Sequence, residues 1–304
     1  MSRMVLAACV VMLVFASGMA AAGGAGGHGE GGGAAEPGLP NLITVALALG
    51  GPEFAQSKVG HFLHEWEYQI FMVLITALLC GFLVATARLR QFVPTRMQAL
   101  LEIAVEGFYN FVTGLLGKHN AKHVPFIGCL FLFIWFNNLF GLVPLFTGAT
   151  SKFQTTIALA LVVFFYIHIY ALKDAGLRYY LWHMAGSPDS LVGWCLAPLL
   201  FILEVIGKLV QPLSLALRLY GNLTGEHILS GVFLLLGMML AGAFMPHPPV
   251  GVPLHLPFLF LGLLVGTIQA LVFTLLSTIY LMMLLPHDDH HDHEEAHAHA
   301  GAAH

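Results

Sequence analysis

LVGWCLAPLLFILEVIGKLVQPLSLALRLYGNLTGEHILSGVFLLLGMMLAGAF, residues 191–244, is one apolar stretch interrupted by four charged side chains: Glu204, Lys208, Arg218 and Glu226. A helix crosses a hydrocarbon core of roughly 30 Å in about 20 apolar residues. The stretch is therefore read as a membrane helix longer than a single perpendicular crossing requires. An Arg at the bilayer centre costs about 2.5–3.5 kcal/mol on insertion scales, so it persists only where it has a partner or a function. Lys208 has Glu204 four residues before it and is read as a structural ion pair. Arg218 has no acidic residue one turn away in either direction.

Spacing turns this into a surface. Glu204, Lys208, Gln211, Leu215, Arg218, Asn222 and Glu226 recur at intervals of three and four residues. At 100° per residue they fall within an arc of roughly 80°. A lipid-facing side could not carry such a stripe, so it must line an aqueous cavity or face another protein. His227 points about 100° away from it. The last apolar stretch, about Leu256–Leu285, offers a matching face: His255, Gly262, Gly266, Gln269, Phe273 and Tyr280 lie at helical spacing. Gly262 and Gly266 form a small-xxx-small pair that permits close helix approach, which would bring Gln269 to the stripe. Asn137 and Asn138, in an earlier apolar run, serve packing or an aqueous inlet.

The rest of the chain agrees in class. Hydrophobic residues make up 58% and charged residues 9%, and the mean hydropathy is +0.82, whereas a soluble domain carries roughly 25% charged residues. Earlier spans are read at about Tyr68–Leu89, Val124–Val143 and Thr155–Leu172. Pro94 to Leu116 alternates apolar positions with Glu102, Glu106 and Asn110 at helical spacing and is read as an amphipathic helix on the membrane surface. The expected fold is thus an all-α polytopic membrane protein with about five transmembrane helices plus that surface helix. Arg88, Arg90, Arg96, Lys118 and Lys122 cluster between the first two spans, and Lys173 and Arg178 follow the third. The positive-inside rule puts both loops in the cytoplasm, the N-terminus outside and the C-terminus inside.

The termini differ in composition. Residues 1–22, with Arg3, an apolar run and a string of alanines, read as a secretory signal or an extra N-terminal span. Residues 23–60 form a Gly-rich extracytoplasmic linker, 61–286 the membrane channel domain, and 287–304 a disordered His/acidic tail. That tail is the one place with metal-binding composition, and no fixed metal site is expected in it. Cys9, Cys80, Cys129 and Cys195 lack paired spacing, which argues against a disulfide framework or zinc site. Nothing basic suggests nucleic acid, no cofactor is implied, and the phosphate-binding loop G-x-x-x-x-G-K-[ST] is missing. A stand-alone secondary transporter would need its own substrate pocket and often an internal repeat, and neither is found. A haem protein using His168 or His183 would need a facing pair of histidines that the spans do not supply.

With these residues in view, the run QPLSLALRLYGNL, residues 211–223, resembles the signature of the subunit a family of F-type ATP synthases. Supporting segments are PTRMQALLE from Pro94, FIWFNNLFGLVP ending at Pro144 and IQALVFTLLSTIYL from Ile268. The resemblance covers residues 60 to 285. It implies a stationary subunit beside a rotating ring of c subunits, joined by b subunits and the soluble ATPase sector, with the last two helices tilted along the ring. It also implies a bacterial inner-membrane location and two aqueous half-channels carrying protons. Arg218 would separate the half-channels and draw the ring carboxylate into its ionised form. Glu226, His227, Gln269, Asn222, Glu204 and His255 are the candidate proton-pathway residues. Many family members place an acidic residue or His nine positions after the Arg, which is His227 here. Helix geometry favours Glu226 as carrier, with His227 as alternate or partner. Some relatives carry a titratable group seven residues before the Gln, where this chain has Gly262, and His255 is the candidate to substitute for it.

Overall fold

The computed structural model describes residues 66–88, 96–143, 146, 153–186, 191–244 and 253–284. The signal-like segment, the Gly-rich linker and the His/acidic tail lie outside these residues. Among them every regular element is helical. The order is α1 Glu67–Arg88, α2 Arg96–Leu116, a short 3-10 segment Lys118–His123, α3 Val124–Gly141, α4 Phe153–Met184, α5 Leu191–Phe244 and α6 Leu256–Leu284.

All six α-helices are long and apolar enough to cross a membrane. The structure therefore agrees with the expected class, and the count differs only at α2, read from its sequence as a surface helix. It is the least hydrophobic of the six. Leu100, Ile103 and Val105 are 65%, 71% and 55% exposed, while Val112 and Leu116 pack inward. Two glycines with φ near 78° place the breaks. Gly117 turns α2 into the 3-10 segment, and Gly176 divides α4 into a long apolar part and a short final part. Few other residues adopt such φ values without strain.

The bundle core is built from Leu130, Phe133 and Ile134 of α3, Leu159 and Val163 of α4, Leu215, Leu219 and Leu223 of α5, and Phe273 and Leu281 of α6. Hydroxyls inside the spans donate back to their own helices. Thr274 bonds the Ala270 carbonyl at 2.7 Å, Ser277 that of Phe273 at 2.8 Å and Thr278 that of Thr274 at 2.8 Å. This satisfies polar groups where lipid offers no partner.

Helix α5 departs most from a simple span. Its 54 residues measure about 81 Å at 1.5 Å per residue, against a hydrocarbon core of roughly 30 Å. Held wholly in the core, its apolar part would lean roughly 65° from the membrane normal. Pro198 and Pro212 lie inside it, each removing one backbone donor and allowing a bend. One side packs on α4 and α6. The other leaves Leu203, Ile206, Leu209, Leu217 and Val232 about half exposed along the length of the helix.

Candidate functional site

The polar stripe lies along the border between the packed and open sides of α5. Lys208 and Leu215, toward one edge of the arc, are 5% and 2% exposed. Arg218, at the opposite edge, is exposed. No carboxylate lies within ion-pairing distance of Arg218 among the described residues. A guanidinium carries its charge at every relevant pH. Among the described residues, Arg218 is thus a permanent cation without an ionic partner, in the middle of their longest apolar helix.

One turn further, α5 is tied to α6. The Asn222 Nδ2 donates to the Gln269 Oε1 at 2.7 Å. Gln269 is 3% exposed, and its Nε2 has no partner among the described residues. Another turn on, the Glu226 carboxyl rests against Gly262. A Cβ added at Gly262 would collide with the Glu226 Oε1 and come within 2.9 Å of the Leu142 Cδ2. Only a glycine leaves room for that carboxyl. Glu226 is half-buried and forms no ion pair among the described residues.

Helix α3 closes the third side. The Asn138 Nδ2 donates to the Gly266 carbonyl at 2.9 Å, and the Trp135 Nε1 donates to the Thr267 Oγ1 at 3.1 Å. A Cβ at Gly266 would stand 3.3 Å from the Asn138 Cβ. The small pair read in the sequence therefore serves two neighbours, with Gly262 accommodating Glu226 of α5 and Gly266 accommodating Asn138 of α3.

The remaining candidates fall elsewhere. His227 is exposed, off the Glu226 edge of the helix. His255 is half-buried just before α6, where its carbonyl accepts from the Phe258 and Leu259 amides at 3.0 Å each. Glu204 and Lys208 form the ion pair expected from their spacing, at 3.5 Å. A residue the sequence did not single out joins them: the Lys208 Nζ lies 4.7 Å from the centroid of the Tyr180 ring. No sequence signal marks Tyr180, because it follows the break at Gly176. Among the described residues no group of three His, Cys, Asp or Glu is gathered as a metal site.

One stripe thus carries an exposed fixed cation with a carboxyl group on either side of it along the helix. Such a layout can exchange protons at the carboxyls and block a continuous proton wire at the cation, since a guanidinium does not give up its proton. Comparison with known proteins gives the family. The family model described as the ATP synthase A chain matches residues 69–282. A protein of Protochlamydia amoebophila named ATP synthase subunit a is 43% identical over 247 residues, 81% of this chain and 89% of that protein. One of the same name from Trichlorobacter lovleyi is 37% identical over 234 residues, 75% of this chain and 93% of that protein. Another from Geobacter sulfurreducens is 39% identical over 209 residues, 69% and 82% of the two chains.

Proposed function

The chain belongs to the ATP synthase A chain family, and from that premise we propose that it is the stationary proton channel against which a ring of c subunits turns. The observation that carries this reading is Arg218, exposed on the open side of α5 and without an ionic partner among the described residues. A cation so placed needs an anion from another chain, and a carboxylate carried past on a ring would supply one. That carboxylate is favoured in its ionised form by about 4 kcal/mol at 4 Å and an effective dielectric of 20. The pair has to be transient, since a lasting one would stall rotation.

The two half-channels lie on either side of Arg218. Glu226, Asn222 and Gln269 serve the one toward the α5–α6 turn, with His255 at its entrance and His227 as a peripheral partner. Glu204 serves the other. With the loop after α4 in the cytoplasm, the Glu226 side opens outward and the Glu204 side inward. Chemistry on ATP belongs to partner chains, and α2 lies along the membrane surface. The protein sits in a bacterial inner membrane beside b subunits and the soluble ATPase sector. A tagged chain extracted in mild detergent is expected to bring down a small hairpin proteolipid with a membrane carboxylate, together with ATPase subunits. Purification as a lone monomer or homo-oligomer would overturn the reading in favour of a stand-alone transporter.

The fit of Glu226 on Gly262 gives a second test. The atoms met by a new Cβ at position 262 are the ends of the Glu226 and Leu142 side chains, so the cost falls on placement of the carboxyl more than on folding. Gly262→Ala is expected to leave the abundance of the complex within about twofold and to cut ATP-driven proton pumping roughly tenfold. Wild-type pumping in Gly262→Ala would show that the position of this carboxyl does not matter.

A further inference from the structure

The burial of the Glu204–Lys208 pair is lopsided. Lys208 keeps 6% of its side-chain surface, whereas Glu204 keeps 46%. The cation has been taken inside and the anion left on the open side of α5. Behind the cation stand residues of α4. The Tyr180 ring lies 4.7 Å from the Nζ, within cation–π range. The His168 Nδ1–H donates to the Phe164 carbonyl at 2.7 Å, and the ring lies 6.1 Å from that of Tyr180. From α6, Tyr280 shares with His168 and Gln211 the cleft where α4, α5 and α6 meet.

Anchoring α4 to α5 does not explain this arrangement. Burying an ammonium costs several kcal/mol, and well-packed apolar residues usually join helices at least as well as a buried ion pair. What a Lys adds is direction: its single charge fixes where the partner carboxylate points. Glu204 precedes Arg218 by fourteen residues, about 21 Å along the helix, and Glu226 follows it by eight, about 12 Å. We propose that Lys208 is a positioning residue for proton transfer: backed by Tyr180 and His168, it holds the Glu204 carboxylate on the open side of α5 as the proton acceptor of the half-channel opposite Glu226. In each passage an O–H bond forms on Glu204 as the donor's O–H breaks, and the proton then leaves to water. Lys208 keeps its own protons throughout.

This inference rests on the proton-channel reading, and its test separates the two. Vesicles carrying the complex are stripped of the ATPase sector, and passive proton conductance is measured per complex. Lys208→Met and Glu204→Gln are each expected to lower it about tenfold, and Lys208→Arg to retain most of it. The double variant Lys208→Met/Glu204→Gln is expected to fall no further than Glu204→Gln alone. A purely structural Lys208 would give normal conductance per complex in Lys208→Met, or a double variant well below Glu204→Gln, and either result overturns the proposal. Should Lys208→Met fail to assemble, the double variant, which leaves no buried charge unpaired, decides alone against Glu204→Gln. Arg218→Ala is the control in unstripped vesicles. Retained ATP-driven pumping there overturns the channel reading itself. Lost pumping there, with normal conductance in Lys208→Met, overturns only this inference.

Discussion

Arg218→Ala is expected to assemble at normal abundance and to lose ATP-driven proton pumping and proton-driven ATP synthesis completely. Assembly is spared because Arg218 is exposed and has no hydrogen bond or ion pair within the chain among the described residues. Removing it takes away no packing of the kind that destabilises cores. On the proposed reading, function is lost for two reasons. Without the cation, the ring carboxylate no longer gains the roughly 4 kcal/mol that favours its ionised form as it passes. The barrier to a continuous proton wire goes as well, so passive proton leak through complexes stripped of the ATPase sector should rise. Quenching of a pH-sensitive dye in inverted vesicles reads the first effect, and the decay of an imposed gradient reads the second. Pumping retained in Arg218→Ala would refute the assignment.

Charge alone does not make the residue replaceable. A Lys is a compact, strongly hydrated point charge whose pKa shifts readily on burial, whereas the guanidinium is delocalised and stays charged. Arg218→Lys should therefore support less coupled transport than wild type even at matched abundance. The contrast with Lys208 is instructive. One cation is buried with its carboxylate 3.5 Å away, and the other is exposed with none among the described residues. A buried cation with a resident partner suits a fixed post, and an exposed one without a partner suits an encounter.

Much of this was legible in the sequence because it depends on periodicity within one helix. Residues 191–244 read as one apolar stretch and fold as the single helix α5. The 3–4 spacing put seven residues on one arc, and the ion pair between Glu204 and Lys208 follows from i, i+4 geometry. What spacing cannot supply is the register between helices. The small pair Gly262 and Gly266 announced a close approach, but not that the Glu226 carboxyl fills the gap over one and Asn138 the gap over the other. Nor did the stripe reveal its own tilt. Its members share an arc, yet Lys208 is buried while Arg218 is exposed, because the arc straddles the edge of the α4–α6 packing. Tyr180 escaped notice for a similar reason, since reaching Lys208 depends on the break at Gly176. The bilayer position of α2 is a matter of its surroundings: an amphipathic pattern and an adequate apolar length coexist in one helix.

Register between helices also sets apart the neighbours Glu226 and His227, and on the proposed reading it favours Glu226 as the proton carrier. The carboxyl of Glu226 lies against Gly262, one turn beyond the hydrogen bond from Asn222 to Gln269, whereas His227 is exposed on another side of α5. A proton carrier has to be reachable from water and able to release its proton; the Glu226 carboxyl is half-buried rather than enclosed and has no salt-bridge partner among the described residues to hold it ionised. Glu226→Gln keeps the shape and removes the titratable group, so it should lower ATP-driven pumping and ATP synthesis by roughly 10²-fold, the lower range for a lost general acid–base group. His227→Ala should cost no more than a few-fold. In the double variant Glu226→Gln/Gly262→Ala, the alanine should add little to the loss, because the carboxyl it would displace is already gone. Pumping by each variant, normalised to the amount of complex in the vesicles, gives the answer. Full activity in Glu226→Gln, with a large loss in His227→Ala, would move the proton to the histidine and leave the fit over Gly262 as packing alone.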